Sequence, residues 1–337
     1  MKKLRVVVLM HEDLIPPDSL DGYSEIEINE WKTEYDVVSA LEELGHDVLK
    51  LGVRDELGPL RAAIDNFKPD IVFNLLEEFR GEAVYDLNVI AYLELRGVAY
   101  TGCGPRGLLL ARDKSLSKQL LSYHRIRVPR FVVCRIGRKI RRPRGLDFPL
   151  IVKSLTEDSS MGISQASVVH DDATLAERVA FVHDRIKTDA IVEQFIDGRE
   201  LYVSVLGNTR LTVLPVAELV FRRKPPDGIL IATTAAKHDV AYQERWGVDV
   251  KRARGLPAEV EQKLARIGKR IYRILGLTGY GRIDFRLSRE GEPYFLEANP
   301  NPEIARYEEF ASAADAAGMT YEQLLERILR LGLQRTY

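Results

Sequence analysis

Two short stretches near the C-terminus carry the chain's clearest chemistry: Gly281-Arg282-Ile283-Asp284-Phe285 and Leu296-Glu297-Ala298-Asn299-Pro300. Side chains alternate along a strand, so Arg282 and Asp284 point the same way on their strand, and Glu297 and Asn299 likewise on theirs. If the two strands pair through a turn at Glu290-Gly291, both polar pairs meet. Two carboxylates and an amide oxygen can hold one or two Mg²⁺, a hard ion that also takes phosphate oxygens and water. Arg282 beside them would stabilise charge on a transferring phosphoryl group.

A second set lies upstream. Phe148 to Lys153 reads as a strand with a lysine at its exit, where an ammonium meets an anion more naturally than a core. After it, Ser159, Ser160 and Gly162 are small enough to let backbone amides approach phosphates. Asp113 is the expected N-cap of a helix that begins at Lys114. Ala190 to Ile196 is expected as a strand, Asp197-Gly198 as its turn, and Arg199 to Leu206 as its hairpin partner.

These groups need a scaffold. The first hundred residues alternate strand and helix: strands over 6–10, 46–51, 70–75 and 98–100, and helices over 30–44, 56–67 and 82–95. Short links between them imply a parallel doubly wound sheet, whose ligands sit beyond the C-terminal strand ends. That rim would carry Glu12 and Asp13. No GxGxxG follows the first strand, which disfavours a dinucleotide site. Later strands are expected over 163–169 as well, with a helix over 172–186.

Composition narrows the classes. A chain of 337 residues with net charge −1 is long enough for two or three domains and offers no global attraction to nucleic acid. The basic run from Arg135 to Arg144 lacks aromatics and reads as a solvated loop. Cys103 and Cys134 sit in no CxxC or Cys/His cluster, so reduced thiols in a cytoplasmic protein are expected. The six histidines have no metal-ligand spacing. No apolar run reaches membrane-span length, so no membrane partner is expected.

Order and spacing of these motifs resemble the ATP-grasp superfamily, in its D-alanine–D-alanine ligase branch. The matches are Ala99-Tyr100-Thr101-Gly102 with Asp113-Lys114, Glu193 to Glu200, Gly281 to Asp284, and Leu296 to Asn299. The resemblance implies an α/β chain, α+β in its C-terminal half. It implies a doubly wound, Rossmann-like domain over 1–106, a small central domain over 107–189, and a C-terminal domain with the Mg²⁺ site over 190–337. It assigns Lys114, Lys153 and Gly162 to the nucleotide phosphates, and Ser159 and Ser160 to a mobile loop over the γ-phosphate. Glu193 would meet the adenine amino group, Gln194, Phe195 and Ile196 the adenine edge, and Glu200 the ribose. Lys237, on a second lid from about Arg222, would contact phosphate, and Arg282 would stabilise transferring charge. Asp284, Glu297 and Asn299 would hold Mg²⁺, or Mn²⁺ in its place, as a pair of ions.

Such an enzyme joins a carboxylate to an amine through an acyl phosphate, releasing ADP. Its expected partners are small molecules: an amino acid, a peptide or a carrier-bound carboxylate, and an amine. A homodimer is an option. The chain departs from the ligase pattern in the amino-acid sites. Met10 to Pro17 lacks the Gly-Gly and Glu-Val-Ser segments, and His238 stands where tyrosine is common. Pro300-Asn301-Pro302-Glu303 replaces Thr-Ser-Pro-Gly-Met-Thr. A substrate other than D-alanine is expected, held by Glu12, Glu303, Arg306 and Glu308, where Arg306 could grip a second carboxylate. The alternatives are a divergent D-alanine–D-alanine ligase and a non-catalytic ATP-binding module.

Overall fold

The computed structural model of the protein describes residues 2–157, 162–225 and 228–335. Its first sheet is parallel, in the order Asp47–Val53, Arg5–His11, Ile71–Asn74. Val6 to Met10 are fully buried, as a central strand covered on both faces must be. The crossovers are the helices Lys32–Glu43, Gly58–Phe67 and Asp86–Leu95. The fourth strand expected at 98–100 shrinks to one parallel bridge between Val72 and Tyr100. There the Asn74 amide donates to the Thr101 hydroxyl at 2.9 Å, and the chain turns away at Gly102. The polar link after the first strand holds a 3-10 turn, Glu12–Leu14, and a short helix, Glu25–Glu30, closed by a Ser24–Glu27 capping box.

The second sheet is antiparallel, in the order Phe131–Cys134, Ala190–Gln194, Leu150–Ser154, Val168–Val169. The strand expected over 163–169 keeps only its last two residues. Gln165–Ser167 turns instead, because the Ser167 hydroxyl accepts from the Ser164 amide at 3.0 Å and draws that amide away from a ladder. The helix Asp172–Phe181 covers the sheet.

The third sheet is also antiparallel. Its order is Val248–Arg252, Ala217–Phe221, Gly198–Leu206, Tyr280–Ser288, Pro293–Pro300, with Thr212–Val213 added to Gly198–Leu206. The helix Ala258–Ile274 packs on it through Leu264, Gly268, Ile271 and Tyr272. This corrects the expected hairpin at Asp197-Gly198. Its two strands lie in different sheets, and the turn carries the chain from one to the other. Gly198 has φ +153°, and a Cβ there would collide with the Leu287 carbonyl of the adjoining strand. Backbone cannot yield as a flexible side chain can, so Gly198→Ala is expected to lower stability by roughly 1–3 kcal/mol in urea denaturation. An unchanged midpoint would show that the crossing tolerates a side chain.

The last helix, Tyr321–Leu333, returns to the first sheet. Leu324, Leu325, Ile328 and Leu329 share a core with Val6, Val8, Met10, Val37 and Leu41, and that core continues to Leu206, Leu214 and Tyr280 of the third sheet. Gly332 permits the approach, since a Cβ there would stand 2.6 Å from the Tyr100 carbonyl oxygen.

Candidate active site

Between the second and third sheets lies an open cleft of about 590 Å³. Leu150–Ser154 brings Lys153 to it, and Ala190–Gln194 brings Glu193 and Gln194, with Phe195 and Ile196 at the exit. From the third sheet come Glu200, Asp284, Arg286 and Glu297, and the short helix Thr234–His238 adds Lys237.

The strands Tyr280–Ser288 and Pro293–Pro300 pair as the alternation requires. Asp284 stands opposite Glu297 and Arg282 opposite Asn299, with a bulge after Asp284. Arg282 donates to Asp284 through Nε at 2.8 Å and through Nη2 at 3.0 Å, and through Nη1 to Glu309. Asn299 Nδ2 donates to Asp284 Oδ2 at 3.1 Å. The guanidinium also lies 4.7 Å from the centre of the Tyr202 ring. Burial opposes the Arg282 charge, yet Asp284 and Glu309 hold its proton well above the ordinary range. Burial pushes the Asp284 carboxyl up to about 6, against the pull of Arg282. Burial works in the same sense on Glu297, but Lys114, Lys153, Lys237 and Lys118 overcome it and draw that carboxyl down to about 2.

The lysines converge from separate elements. Asp113 caps its helix as expected, accepting from the Ser115 and Leu116 amides at 2.8 and 2.9 Å. This fixes Lys114, whose Nζ lies 3.7 Å from Glu297 and donates to the Glu157 carbonyl at 2.6 Å. One turn on, Lys118 is fully buried. Its Nζ lies 2.9 Å from Glu193 Oε1, while Lys153 Nζ lies 3.4 Å from Glu193 Oε2. Burial opposes the Glu193 charge, but the two ammonium groups keep its carboxyl below the usual range. Neither contact has hydrogen-bond alignment, so both oxygens of this buried carboxylate lack a well-placed donor. The sequence reading overlooked Lys118; the available signal was its four-residue spacing from Lys114, which puts both on one helix face.

Glu200 accepts from the Tyr202 hydroxyl at 3.2 Å and pairs with Arg286 at 3.3 Å. Ser159 and Ser160 lie outside the described residues. Gly162, at φ +71°, lies where a Cβ would collide with Ile186. The two segments expected as lids are joined to each other. The Thr234 amide donates to the Ile163 carbonyl at 2.9 Å, and Gln165 Nε2 to the Ile229 carbonyl at 3.3 Å.

Of the other expected substrate residues, Glu12 and Arg306 are engaged within the chain. Glu12 and Asp13 are both held by Arg54, with Asp13 2.5 Å from Nη2. The Arg306 guanidinium donates to Glu322 at 2.8 Å, lies 3.6 Å from Glu43 and stacks 4.5 Å from the Tyr321 ring centre. Its position fastens the loop after Asn299 to the helices Lys32–Glu43 and Tyr321–Leu333 and leaves no fork for a second carboxylate. Glu303 accepts from the Thr33 hydroxyl at 3.3 Å, and Glu308 is the N-cap residue of the helix Glu309–Asp315.

Among the described residues no three His, Cys, Asp or Glu side chains form a metal cluster. Asp284 and Glu297 face each other with the Asn299 amide beside them. An all-oxygen set of two carboxylates and one amide suits Mg²⁺, which completes its shell with phosphate and water. The amide's oxygen and nitrogen are interchangeable by a flip, so Asn299 can offer its oxygen.

A doubly wound sheet followed by two antiparallel sheets enclosing a lysine- and carboxylate-lined cleft is the ATP-grasp architecture. The family model described as D-ala D-ala ligase C-terminus matches residues 126–330. The chain is 34% identical to an uncharacterized protein of Sinorhizobium fredii over 89% of this chain and 87% of that one. It is also 34% identical to the D-alanine–D-alanine ligase of Bordetella petrii, over 77% and 75% of the two chains. In fold it is similar to the D-alanine–D-alanine ligase of Bacillus anthracis, whose structure was solved complexed with ATP. That likeness has a TM-score of 0.74 at 21% identity and covers 98% of each chain. The chain therefore belongs to the D-alanine–D-alanine ligase family, a family of ATP-dependent, ADP-forming ligases. No described helix is long and apolar enough to cross a membrane.

Proposed function

We propose that the protein joins a carboxylate to an amine through an acyl phosphate, and that its substrate is not a pair of D-alanines. The supporting observation is the pairing of Arg282 with Asn299 and Asp284 with Glu297, facing Lys114, Lys153 and Lys237. A substrate carboxylate oxygen attacks the γ-phosphorus of ATP, and the bond to the departing ADP oxygen breaks. The amine nitrogen then attacks the acyl carbon, loses a proton, and phosphate leaves. Lys114, Lys153 and Lys237 offset phosphate charge, and Arg282 stabilises the transferring group. Asp284, Glu297 and Asn299 would hold Mg²⁺, singly or as two ions, which would offset the charge of the phosphates. The unaligned Glu193 oxygens suit the two hydrogens of an adenine amino group, and Glu200 a ribose hydroxyl. Chain segments 1–106, 107–189 and 190–337 would act as three domains in the cytoplasm, with the last helix docked back on the first.

The departure from D-alanine rests on the loop after Asn299. Asn301, at φ +54°, accepts from the Cys103 amide at 2.6 Å, and the Arg306 amide donates to Asp36 at 2.8 Å. This loop is braced by acids and an arginine where the ligase pattern has small and hydroxyl residues. ADP release with a panel of amino acids and dipeptides, with mass spectrometry of the amide, is the test. Little turnover is expected with D-alanine alone. A millimolar or better Michaelis constant for D-alanine would make this a divergent D-alanine–D-alanine ligase. ATP binding without turnover of any panel member would favour a non-catalytic module.

A further inference from the structure

After Arg282 and Asp284, the strand Tyr280–Ser288 brings a third charged side chain to the cleft. Arg286 is only 4% exposed. It stands opposite Glu200 on Gly198–Leu206, and its Nη1 lies 3.3 Å from Glu200 Oε2. Among the described residues no other carboxylate is within ion-pair distance of this guanidinium. The same group also reaches two carbonyls. Its Nη1 donates to Gly198 at 3.4 Å and its Nη2 to Leu230 at 3.0 Å. From Leu230 the chain runs to Lys237 through fixed contacts. Ile231 is buried against Ile151 and Val168 of the second sheet. The Thr233 amide donates to the Ile231 carbonyl at 2.9 Å. The Thr233 hydroxyl then caps the helix Thr234–His238, accepting from the Ala236 amide at 3.0 Å.

We propose that Arg286 is a positioning residue, tying the carboxylate that meets the ribose to the segment that carries Lys237. This rests on the ligase reading, from which it takes the nucleotide's place in the cleft. An arginine this buried costs stability unless its charge and its donors are satisfied, and here one guanidinium serves three elements at once. Glu200 accepts from Tyr202 through Oε1 and faces Arg286 through Oε2. A carboxylate has about four lone-pair sites, so a ribose hydroxyl can donate to it as well. Held by that hydroxyl, Glu200 fixes the planar guanidinium, and the rigid fork of the guanidinium holds Leu230. Ribose takes no part in phosphoryl transfer, yet its binding then helps to set where Lys237 stands. Contacts remote from the reacting atoms are used in this way to orient groups near them. Arg286→Lys keeps a charge opposite Glu200 but loses the fork, because an ammonium offers its donors from one nitrogen.

The test is hydrogen exchange of the amides from 229 to 238, with saturating Mg·ATP or Mg·2′,3′-dideoxyATP and no carboxylate substrate. Saturation is set by titration for each nucleotide and each protein. In the parent, Mg·ATP is expected to slow this exchange about tenfold more than the dideoxy nucleotide does. In Arg286→Lys that ratio is expected to fall below about threefold. A merely structural arginine would loosen the segment equally with either nucleotide and leave the ratio as it was. A ratio under about threefold in the parent would overturn the proposal, and this arm needs no variant to fold. An unchanged ratio in Arg286→Lys would overturn it too. If both nucleotides bind and protect the segment equally, this inference fails while the ligase reading stands. If neither nucleotide binds, the ligase reading fails and the inference with it.

Discussion

Glu297→Gln is expected to lower ADP formation by at least on the order of 10³-fold at saturating Mg·ATP, with the protein still folded. Glutamine keeps the size of the side chain and one oxygen, so the pairing with Asp284 across the strands can persist. What it loses is the charge. Four lysines are arranged to keep this carboxylate ionised despite its burial. Their positions make sense if the same lysines also meet phosphate, with Glu297 holding the metal between them. A steady-state assay coupled to ADP, with circular dichroism on the same sample, decides the matter. Near-normal turnover would remove Glu297 from the metal site and with it the proposed phosphoryl transfer.

The second large effect is on folding. Glu193→Gln is expected to destabilise the protein by roughly 3–5 kcal/mol at pH 7, because it strands Lys118 and Lys153 in the interior. Such a loss is a large part of a typical total stability of about 5–15 kcal/mol. It should also change the pH dependence. Burial already lowers the Lys118 ammonium below its ordinary range, and Glu193 is the main opposing influence. Without that carboxylate the folded state releases the proton more readily than the unfolded chain does. The unfolded state then binds more protons, so stability must rise with pH up to the ordinary lysine range near 10.4. Urea midpoints at pH 7 and 9.5 should show the variant recovering relative to the parent. A loss under 1 kcal/mol at pH 7 would mean that the three charges are solvated rather than mutually dependent.

Much of the site was legible because its geometry is local. Two strands joined by a turn at Glu290-Gly291 can meet in few registers, and alternation then places Arg282, Asp284, Glu297 and Asn299 on one face. The parallel first sheet was equally readable from its alternating strand and helix periods. Asp197-Gly198 misled because turn chemistry is a local signal, whereas membership of a sheet depends on what else the strand can pair with. Gly198–Leu206 pairs with Tyr280–Ser288, some eighty residues away. Lys118 was missed because a lysine on a helix ordinarily reads as solvated; only Glu193 from a distant strand makes its burial tolerable. Arg306 failed differently. Its side chain was legible as a carboxylate binder, but its carboxylates turned out to be Glu322 and Glu43 of the same chain.

The return of the last helix to the first sheet has a consequence for synthesis. Val6, Val8 and Met10 leave the ribosome some three hundred residues ahead of Leu324 to Leu329, which help to cover them. At about 5–20 residues per second the interval is on the order of 20–60 s. Throughout it the nascent first sheet carries an apolar face that Val37 and Leu41 cover only in part, the condition under which chaperones bind and chains aggregate. A message cut short before Tyr321 yields a product that can shape most of the cleft between the second and third sheets yet never seal the strand Arg5–His11, so closure of the first sheet waits on this one helix.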